Sequence, residues 1–254
     1  MRGGLGAALL FFLLTWALCF GAGAVRGFAP AVDGLDFACL ADSITRFHAY
    51  TWGETPPPIA QLPKKRVPLE PCAEYEPLHP GFLAAADALG GRWAYLVLAS
   101  ALVAGGMLLW WRAAQGWCAP GSLLPWALWL LLLYPNLIYH QARTYYREPL
   151  FTFLTALMAF LLSRAWASRR RGDCLAAGVA WGLAILTKSV WLALVPVLAW
   201  AWWRGVPEGR RLRLACFGWM MGACVAVVAP WTVRNLLVLK SPVLVSSLGG
   251  WASW

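Results

Sequence analysis

Long apolar runs alternate with short polar stretches along almost the whole chain. The apolar segments lie at about 5–25, 93–111, 122–139, 149–166, 174–187, 189–203 and 214–233. Roughly 20 predominantly apolar residues are enough for a helix to cross a bilayer. The first segment resembles a signal peptide but is longer than a signal core, and we interpret it as a membrane helix. The pattern predicts an all-α polytopic membrane protein with about seven transmembrane helices in a single domain over residues 1–254.

The fifth and sixth segments meet at Lys188, which is the only charged residue between Cys174 and Trp203. One helix over all of this stretch would be about 45 Å long, which is more than the hydrocarbon core requires. We therefore expect two short helices, or one broken helix, with the break at Lys188. An ionised side chain at membrane depth costs roughly 3 kcal/mol or more, so Lys188 is expected to face a cavity or a partner.

The longest polar segment is 27–91, and it holds most of the acidic residues. We expect this outer loop to contain two short interfacial helices, Asp33 to His48 and Gly81 to Leu89, with Pro80 near the start of the second. The proline-rich stretch between them is expected to be irregular.

The balance of charge is strongly basic, with 21 Lys and Arg against 11 Asp and Glu and a net charge of +10. No nucleic-acid-binding motif accompanies this charge, and arginine-rich loops of membrane proteins gather in the cytoplasm. We therefore expect the clusters at 168–173 and 204–213 to be cytoplasmic, together with the amino terminus and the loop at Arg112. Residues 27–91, 140–148, Lys188 and the chain beyond Val233 then lie on the outer face.

This topology brings charged side chains from separate segments to one membrane face. They are Asp33, His140, Arg143, Arg147, Glu148, Lys188 and Arg234. Cations at such a face can bind a lipid-linked phosphate and stabilise its growing charge as it leaves. A carboxylate can take the proton from an attacking hydroxyl. The set therefore favours chemistry on a lipid phosphate.

Five different motifs follow one another in a defined order along the chain. They are Asp33-Phe37-Ala41 after the first helix, HPGFLAAADALGG at 79–91, Glu148 just before the fourth helix, GVAWGLAILTK at 178–188, and PWTVRN at 230–235 followed by VSSLGG at 245–250. In order and spacing they resemble the C-type polytopic glycosyltransferases, in the branch that contains the protein O-mannosyltransferases and the lipid A aminoarabinose transferase. The resemblance covers almost the whole chain. Phe37 departs from it, because that position is commonly Tyr.

The resemblance implies transfer of a sugar, with inversion, from a polyprenyl-phosphate donor to an acceptor hydroxyl. The reaction would take place at the outer face of a bacterial cytoplasmic membrane, with membrane lipids rather than nucleic acid as partners. Asp33 would be the general base, and Glu148 an acidic residue of the same site. The lipid phosphate would be held by Lys188, Arg234, Arg147 and Arg143. Family members continue beyond the position of Trp254, so the chain is expected to correspond to their amino-terminal part.

Each candidate residue also has a simpler explanation. Asp33 can cap the following helix, and Glu148 can favour a helix start through the helix dipole. Arg143 and Arg147 can pair with lipid headgroups, and Lys188 can extend to the interface. Asp36 lies close enough to compete with Asp33 for the base role, but we expect it to be a solvated or a secondary residue.

The cofactor and the function class remain open from sequence. A divalent metal held by His140 and Glu148 with Asp33 is one alternative, and an ordinary hydrogen-bonded interfacial histidine is the other. No other cofactor is indicated. A lipid-carrier flippase or transporter would also use a broken helix with a buried cation, and a non-catalytic membrane subunit is the third alternative. The sequence does not identify the sugar. The acceptor can be a protein, a lipid or a glycan.

Overall fold

The computed structural model of the chain describes residues 3–26, 32–55, 67–118, 122, 124–127, 130, 145–205 and 209–247. The helices are α1 (Gly3–Arg26), α2 (Val32–Phe47), α3 (Leu78–Trp117), α4 (Leu124–Ala127), α5 (Glu148–Ser168), α6 (Arg171–Thr187), α7 (Leu194–Gly205) and α8 (Arg210–Leu239), with a 3-10 helix at Ser189–Ala193. No β-strand occurs in these ranges, where the one β-bridge joins Thr51 to Pro71. The predicted all-α class is confirmed.

Within the described part of the chain, four helices are long and apolar enough to cross a membrane. They are Gly6–Val25, Leu78–Trp117, Glu148–Ser168 and Arg210–Leu239. The predicted seven spans are therefore not confirmed. Helices α6 and α7 have only 17 and 12 residues, and most of the apolar segment predicted at 122–139 lies outside the described residues.

Helix α3 is kinked at Gly90 and Gly91, whose φ angles are 155° and 63°. Side-chain-bearing residues rarely adopt such angles, so the glycine pair permits the kink. The kink separates a short first part, which corresponds to the interfacial helix predicted at Gly81 to Leu89, from the long apolar part. The short part begins at Leu78, after Pro77 at the N-cap position. A helix is also found at the other predicted position, as α2; the interfacial location of both helices stays a prediction.

The break predicted at Lys188 is confirmed. Helix α6 ends at Thr187, and Lys188 has extended backbone angles of φ −156° and ψ 111° before the 3-10 helix begins. The indole of Trp181 donates a hydrogen bond to the carbonyl of Trp191 at 3.1 Å, which holds the chain on both sides of the break.

Small residues allow the helices to approach closely. On α6, a Cβ added at Gly178 would collide with the carbonyl oxygen of Met220 on α8, and one at Gly182 would lie 2.7 Å from Val227. On α3, a Cβ at Gly106 would lie 3.1 Å from the backbone of Phe153 on α5. Glycines spaced in this way are typical of tightly packed membrane helices.

The helix ends form two chemically different regions. The first, called the basic end, carries Arg112, Arg164, Arg169–Arg171, Arg204, Arg210, Arg211 and Arg213. It is held together by Arg164–Asp173 at 3.0 Å and by a hydrogen bond from Arg213 to the carbonyl of Trp203. The second, called the loop end, consists of residues 32–55 and 67–79, the start of α5, the break at Lys188 and residues 240–247. The candidate site lies at the loop end.

Candidate functional site

Glu76 is the centre of the loop end. Its Oε2 accepts a hydrogen bond from Arg147 at 2.7 Å, and its Oε1 accepts one from the backbone N–H of Ser189 at 2.8 Å. The hydroxyl of Ser246 is 3.3 Å from the same Oε1. Glu76 is buried. One carboxylate therefore joins the outer loop, the start of α5, the broken helix and the segment after α8.

Local backbone structure makes each donor available. Arg147 directly precedes α5, which has Glu148 as its first residue and Pro149 as its second. The extended Lys188 interrupts the helical hydrogen-bond series, so the N–H of Ser189 is left to donate outside the helix. Both donors surround a buried carboxylate, where charge-assisted hydrogen bonds are strongest.

A layer of aromatic rings packs beside this carboxylate. The ring of Phe37 on α2 lies 4.9 Å from Tyr75 and 4.8 Å from His79, between centroids. The guanidinium carbon of Arg147 lies 5.6 Å from the same ring. The position that is commonly Tyr in the resembled family thus holds an apolar ring against a cation.

Asp36 is buried, and its Oδ2 accepts a hydrogen bond from the hydroxyl of Tyr75 at 2.6 Å. The prediction that Asp36 is solvated is wrong. The reason is that the face of α2 that carries Asp36 packs against the loop at Tyr75. Asp36 and Tyr75 are 39 residues apart in the sequence. Asp33 is exposed, and it lies in the first turn of α2, one turn before Phe37.

Lys188 is partly buried beside α5. Its Nζ lies 4.9 Å from the centroid of the Phe151 ring, one turn beyond Arg147. The ion pairs found among the described residues do not include Lys188. Two residues before it, Leu186 lines an apolar cavity of about 520 Å³, which Pro77, Phe82 and Leu150 also line. Lys188, which has no ion-pair partner among the described residues, therefore lies two residues along the chain from the wall of an apolar cavity.

Arg234 on α8 holds the outer loop. Its guanidinium donates to the carbonyls of Cys72 and Tyr50, both at 2.8 Å, and it packs over the ring of Trp231 at 4.9 Å. Burial raises the pKa of the Tyr50 phenol well above its usual value. The phenol therefore stays protonated, and it donates to the carbonyl of Tyr75 at 3.0 Å. The lipid-phosphate role of Arg234 stays a prediction.

Glu148 begins α5, and its Oε2 is buried with no hydrogen-bond partner among the described residues. The same is true of Nδ1 of His79, whose Nε2 is 2.9 Å from the carbonyl of Tyr145. No group of three or more His, Cys, Asp or Glu in the described ranges is arranged to hold a metal ion. His140 and Arg143, which sequence analysis named as a metal ligand and a phosphate ligand, lie outside the described residues.

The structure brings Arg147, Glu148, Lys188 and Arg234 to the loop end, where the sequence-based topology expects them. The sequence did not identify Glu76. It stands two residues after Glu74 in the segment EYEPLHP, and only its position just before Pro77, the N-cap residue of α3, distinguishes it from that neighbour. That position does not indicate that three groups distant in the sequence donate hydrogen bonds to Glu76.

No protein-family model, no curated protein and no solved structure matches this chain. The geometry of the loop end and the sequence motifs are therefore the grounds for a functional assignment.

Proposed function

We propose that the loop end is the site of a membrane glycosyltransferase that uses a polyprenyl-phosphate sugar donor. The observation that carries the proposal is the gathering of separate segments around Glu76. Its hydrogen bonds bring the cation of Arg147 and the break at Lys188 to one buried carboxylate. Such a gathering supports a preorganised site for an anionic group.

Lys188 is the residue that we assign to the carrier phosphate. It pairs with no carboxylate among the described residues, whereas Arg147 is already bound to Glu76. The apolar cavity that Leu183 and Leu186 line, just before Lys188 in the sequence, is where we place chain atoms of the lipid. A cation next to an apolar space fits an amphipathic ligand with a phosphate at one end.

The proposed step is a single displacement at the anomeric carbon of the sugar. The acceptor oxygen forms a bond to that carbon, and the bond from the carbon to the phosphate oxygen breaks with inversion. The electron pair leaves with the phosphate, whose charge Lys188 stabilises. Asp33 takes the proton of the acceptor hydroxyl. Its exposure in the first turn of α2 leaves it accessible to an acceptor.

The orientation of the molecule follows from its charge. The basic end carries most of the arginines, and arginine-rich short loops remain in the cytoplasm. The loop end, with its acidic residues, then faces outward. We therefore propose an integral membrane protein of the bacterial cytoplasmic membrane with its site on the outer face.

The test uses membranes that hold the protein, supplied with a radiolabelled polyprenyl-phosphate sugar. Asp33→Asn should lower transfer by about 10²–10⁴-fold, which is the usual contribution of a general base. Asp42→Asn is the matched control, because Asp42 is an acid on the same helix that pairs with Arg46 at the surface. Equal transfer by wild type and Asp33→Asn would remove Asp33 from the mechanism.

The extended backbone at Lys188 favours one rival function. Discontinuous helices with a cation at the break also bind anionic substrates in transporters. Purified protein in vesicles would separate the two functions. Movement of a labelled polyprenyl phosphate across the bilayer, without any sugar transfer, would favour the transporter.

A further inference from the structure

A second cavity, which Glu76 does not line, lies between α3, α5 and α7. It has a volume of about 750 Å³, and its wall is built largely from apolar side chains such as Met158, Leu162, Leu194 and Leu198. Two cations, Arg112 and Arg164, line the same cavity at the basic end. The cavity is therefore amphipathic along its length.

The polar lining is divided between two levels. At the basic end, the indole N–H of Trp117 donates to the hydroxyl of Ser163 at 2.7 Å, which joins α3 to α5 beside the arginines. Deeper in the cavity, Thr155 Oγ1 and Trp191 Nε1 are buried without hydrogen-bond partners among the described residues. Only the basic end carries charge.

The two arginines differ in how far they are neutralised. Arg164 forms an ion pair with Asp173 at 3.0 Å. Arg112 is exposed and stacks over the ring of Trp111 at 5.5 Å, and no carboxylate in the described ranges pairs with it. Among the described residues, the mouth of the cavity therefore keeps an excess positive charge, to which Arg170 and Arg171 at the same end add.

We infer that this cavity binds an anionic phospholipid, with the phosphate at Arg112 and Arg164 and the acyl chains along α5 and α7. Basic pockets between membrane helices on the cytoplasmic side are typical sites for anionic lipid headgroups. Trp110, Trp117 and Trp166 line this cavity, and tryptophans favour the interface between lipid and water. A zwitterionic lipid fits less well, because its ammonium group would face the guanidinium of Arg112, with which no carboxylate of the described residues pairs.

The test measures lipid binding to the purified protein by native mass spectrometry, with phosphatidylglycerol and phosphatidylcholine of identical chains. Phosphatidylglycerol should bind more tightly. Arg112→Ala should weaken it about fivefold, which corresponds to about 1 kcal/mol for one basic residue near a headgroup. Arg211→Ala is the matched control, because Arg211 is an exposed arginine of the basic end that does not line the cavity. It should change the affinity less than twofold.

A second variant keeps both arginines and fills the cavity. Leu162→Trp should lower phosphatidylglycerol binding at least as much as Arg112→Ala, because the chains lose their space. Equal binding of the two lipids would overturn the inference, as would equal losses in Arg112→Ala and Arg211→Ala. Competition by soluble glycerol phosphate at the same concentration as the lipid would also overturn it, since the headgroup alone would then explain binding. None of these results depends on sugar transfer.

Discussion

Glu76 accepts hydrogen bonds from residues 71, 113 and 170 positions away in the sequence. A carboxylate buried without partners would protonate or destabilise the fold, so its donors must be supplied by the tertiary structure. Asp36 is satisfied in the same way by the hydroxyl of Tyr75. The buried acids of the loop end thus hold separate segments together through hydrogen bonds, and they also set the charge of the region.

Glu76→Gln should destabilise the protein by about 2–3 kcal/mol, because it leaves the guanidinium of Arg147 without its counter-charge. The Arg147 side chain is 22% exposed, so residual hydration keeps the loss below that of a fully buried pair. Unfolding by sodium dodecyl sulfate in mixed micelles measures the change. Glu70→Gln is the control, because Glu70 is exposed. Equal stability of the two variants would contradict the central role of Glu76.

The cations of the site can be identified from the amino-acid sequence, but its central acid cannot. Lys188 stands out because it interrupts an apolar run, and Arg147 because it precedes a predicted helix. Glu76 and Asp36 lie among other acids in a polar loop, where nothing local indicates burial. Their partners Arg147 and Tyr75 become neighbours only when the chain folds, so composition and spacing do not reveal them.

At the scale of the elements, the packing of α6 against α8 depends on small residues. Gly178 and Gly182 lie one turn apart and face the backbone of α8 at Met220 and Cys224. Close approach of backbones is a main source of helix association in a bilayer, where no hydrophobic force acts between helices. The packing fixes α6, and with it the position of Lys188.

Gly178→Leu should destabilise the protein by about 1–3 kcal/mol or prevent assembly, because the added atoms meet backbone that cannot move away. The same unfolding assay measures the loss. Gly222→Ala on α8 is the control, since a Cβ there meets nothing within 4 Å. The packing described for α6 and α8 would be wrong if Gly178→Leu were as stable as Gly222→Ala.

Gly91→Ala should also be destabilising, by about 1–3 kcal/mol, because φ at this residue is 63° with ψ −141°. Gly81→Ala in the same helix is its control, since Gly81 has no positive φ and no neighbour near an added Cβ. A thermal unfolding midpoint in detergent reports both. If the two variants melt at the same temperature, the kink at 90–91 is not required for stability.

The hydrophobic pattern predicted most helices well, because burial and bilayer length both act through apolar runs. It placed the break at Lys188 correctly, since one continuous helix over this stretch would be longer than the hydrocarbon core requires. It also predicted two short helices on either side of the break, which the structure has at 17 and 12 residues, but it counted each of them as a membrane span. Apolar composition alone does not distinguish a full span from two short helices.

At the scale of the whole molecule, the two ends have opposite chemistry. The basic end presents exposed arginines, and the loop end carries buried carboxylates, of which Glu76 binds the cation of Arg147. Such a molecule has one orientation that satisfies the preference for cytoplasmic arginine. The proposed site, the carrier phosphate and the acceptor would all lie on the opposite side.

Cysteines introduced into a cysteine-free background should report this orientation. Glu70→Cys at the loop end should react with a membrane-impermeant thiol reagent in intact spheroplasts. Gly172→Cys at the basic end should react only after permeabilisation, because both residues are exposed but lie on opposite ends. The reverse pattern would place the arginines outside and would exclude the proposed orientation.

The most direct test of the proposed site is binding of a polyprenyl phosphate without sugar to the purified protein, compared between Lys188→Gln and Lys240→Gln. Lys240 is an exposed lysine that follows α8 at the same end of the molecule. If Lys188 anchors the carrier phosphate, Lys188→Gln should weaken binding by about tenfold or more, as expected for loss of a charge-assisted contact of about 1.5–3 kcal/mol. Lys240→Gln should bind like wild type. Equal affinities of the two variants for the polyprenyl phosphate would contradict the assignment of Lys188.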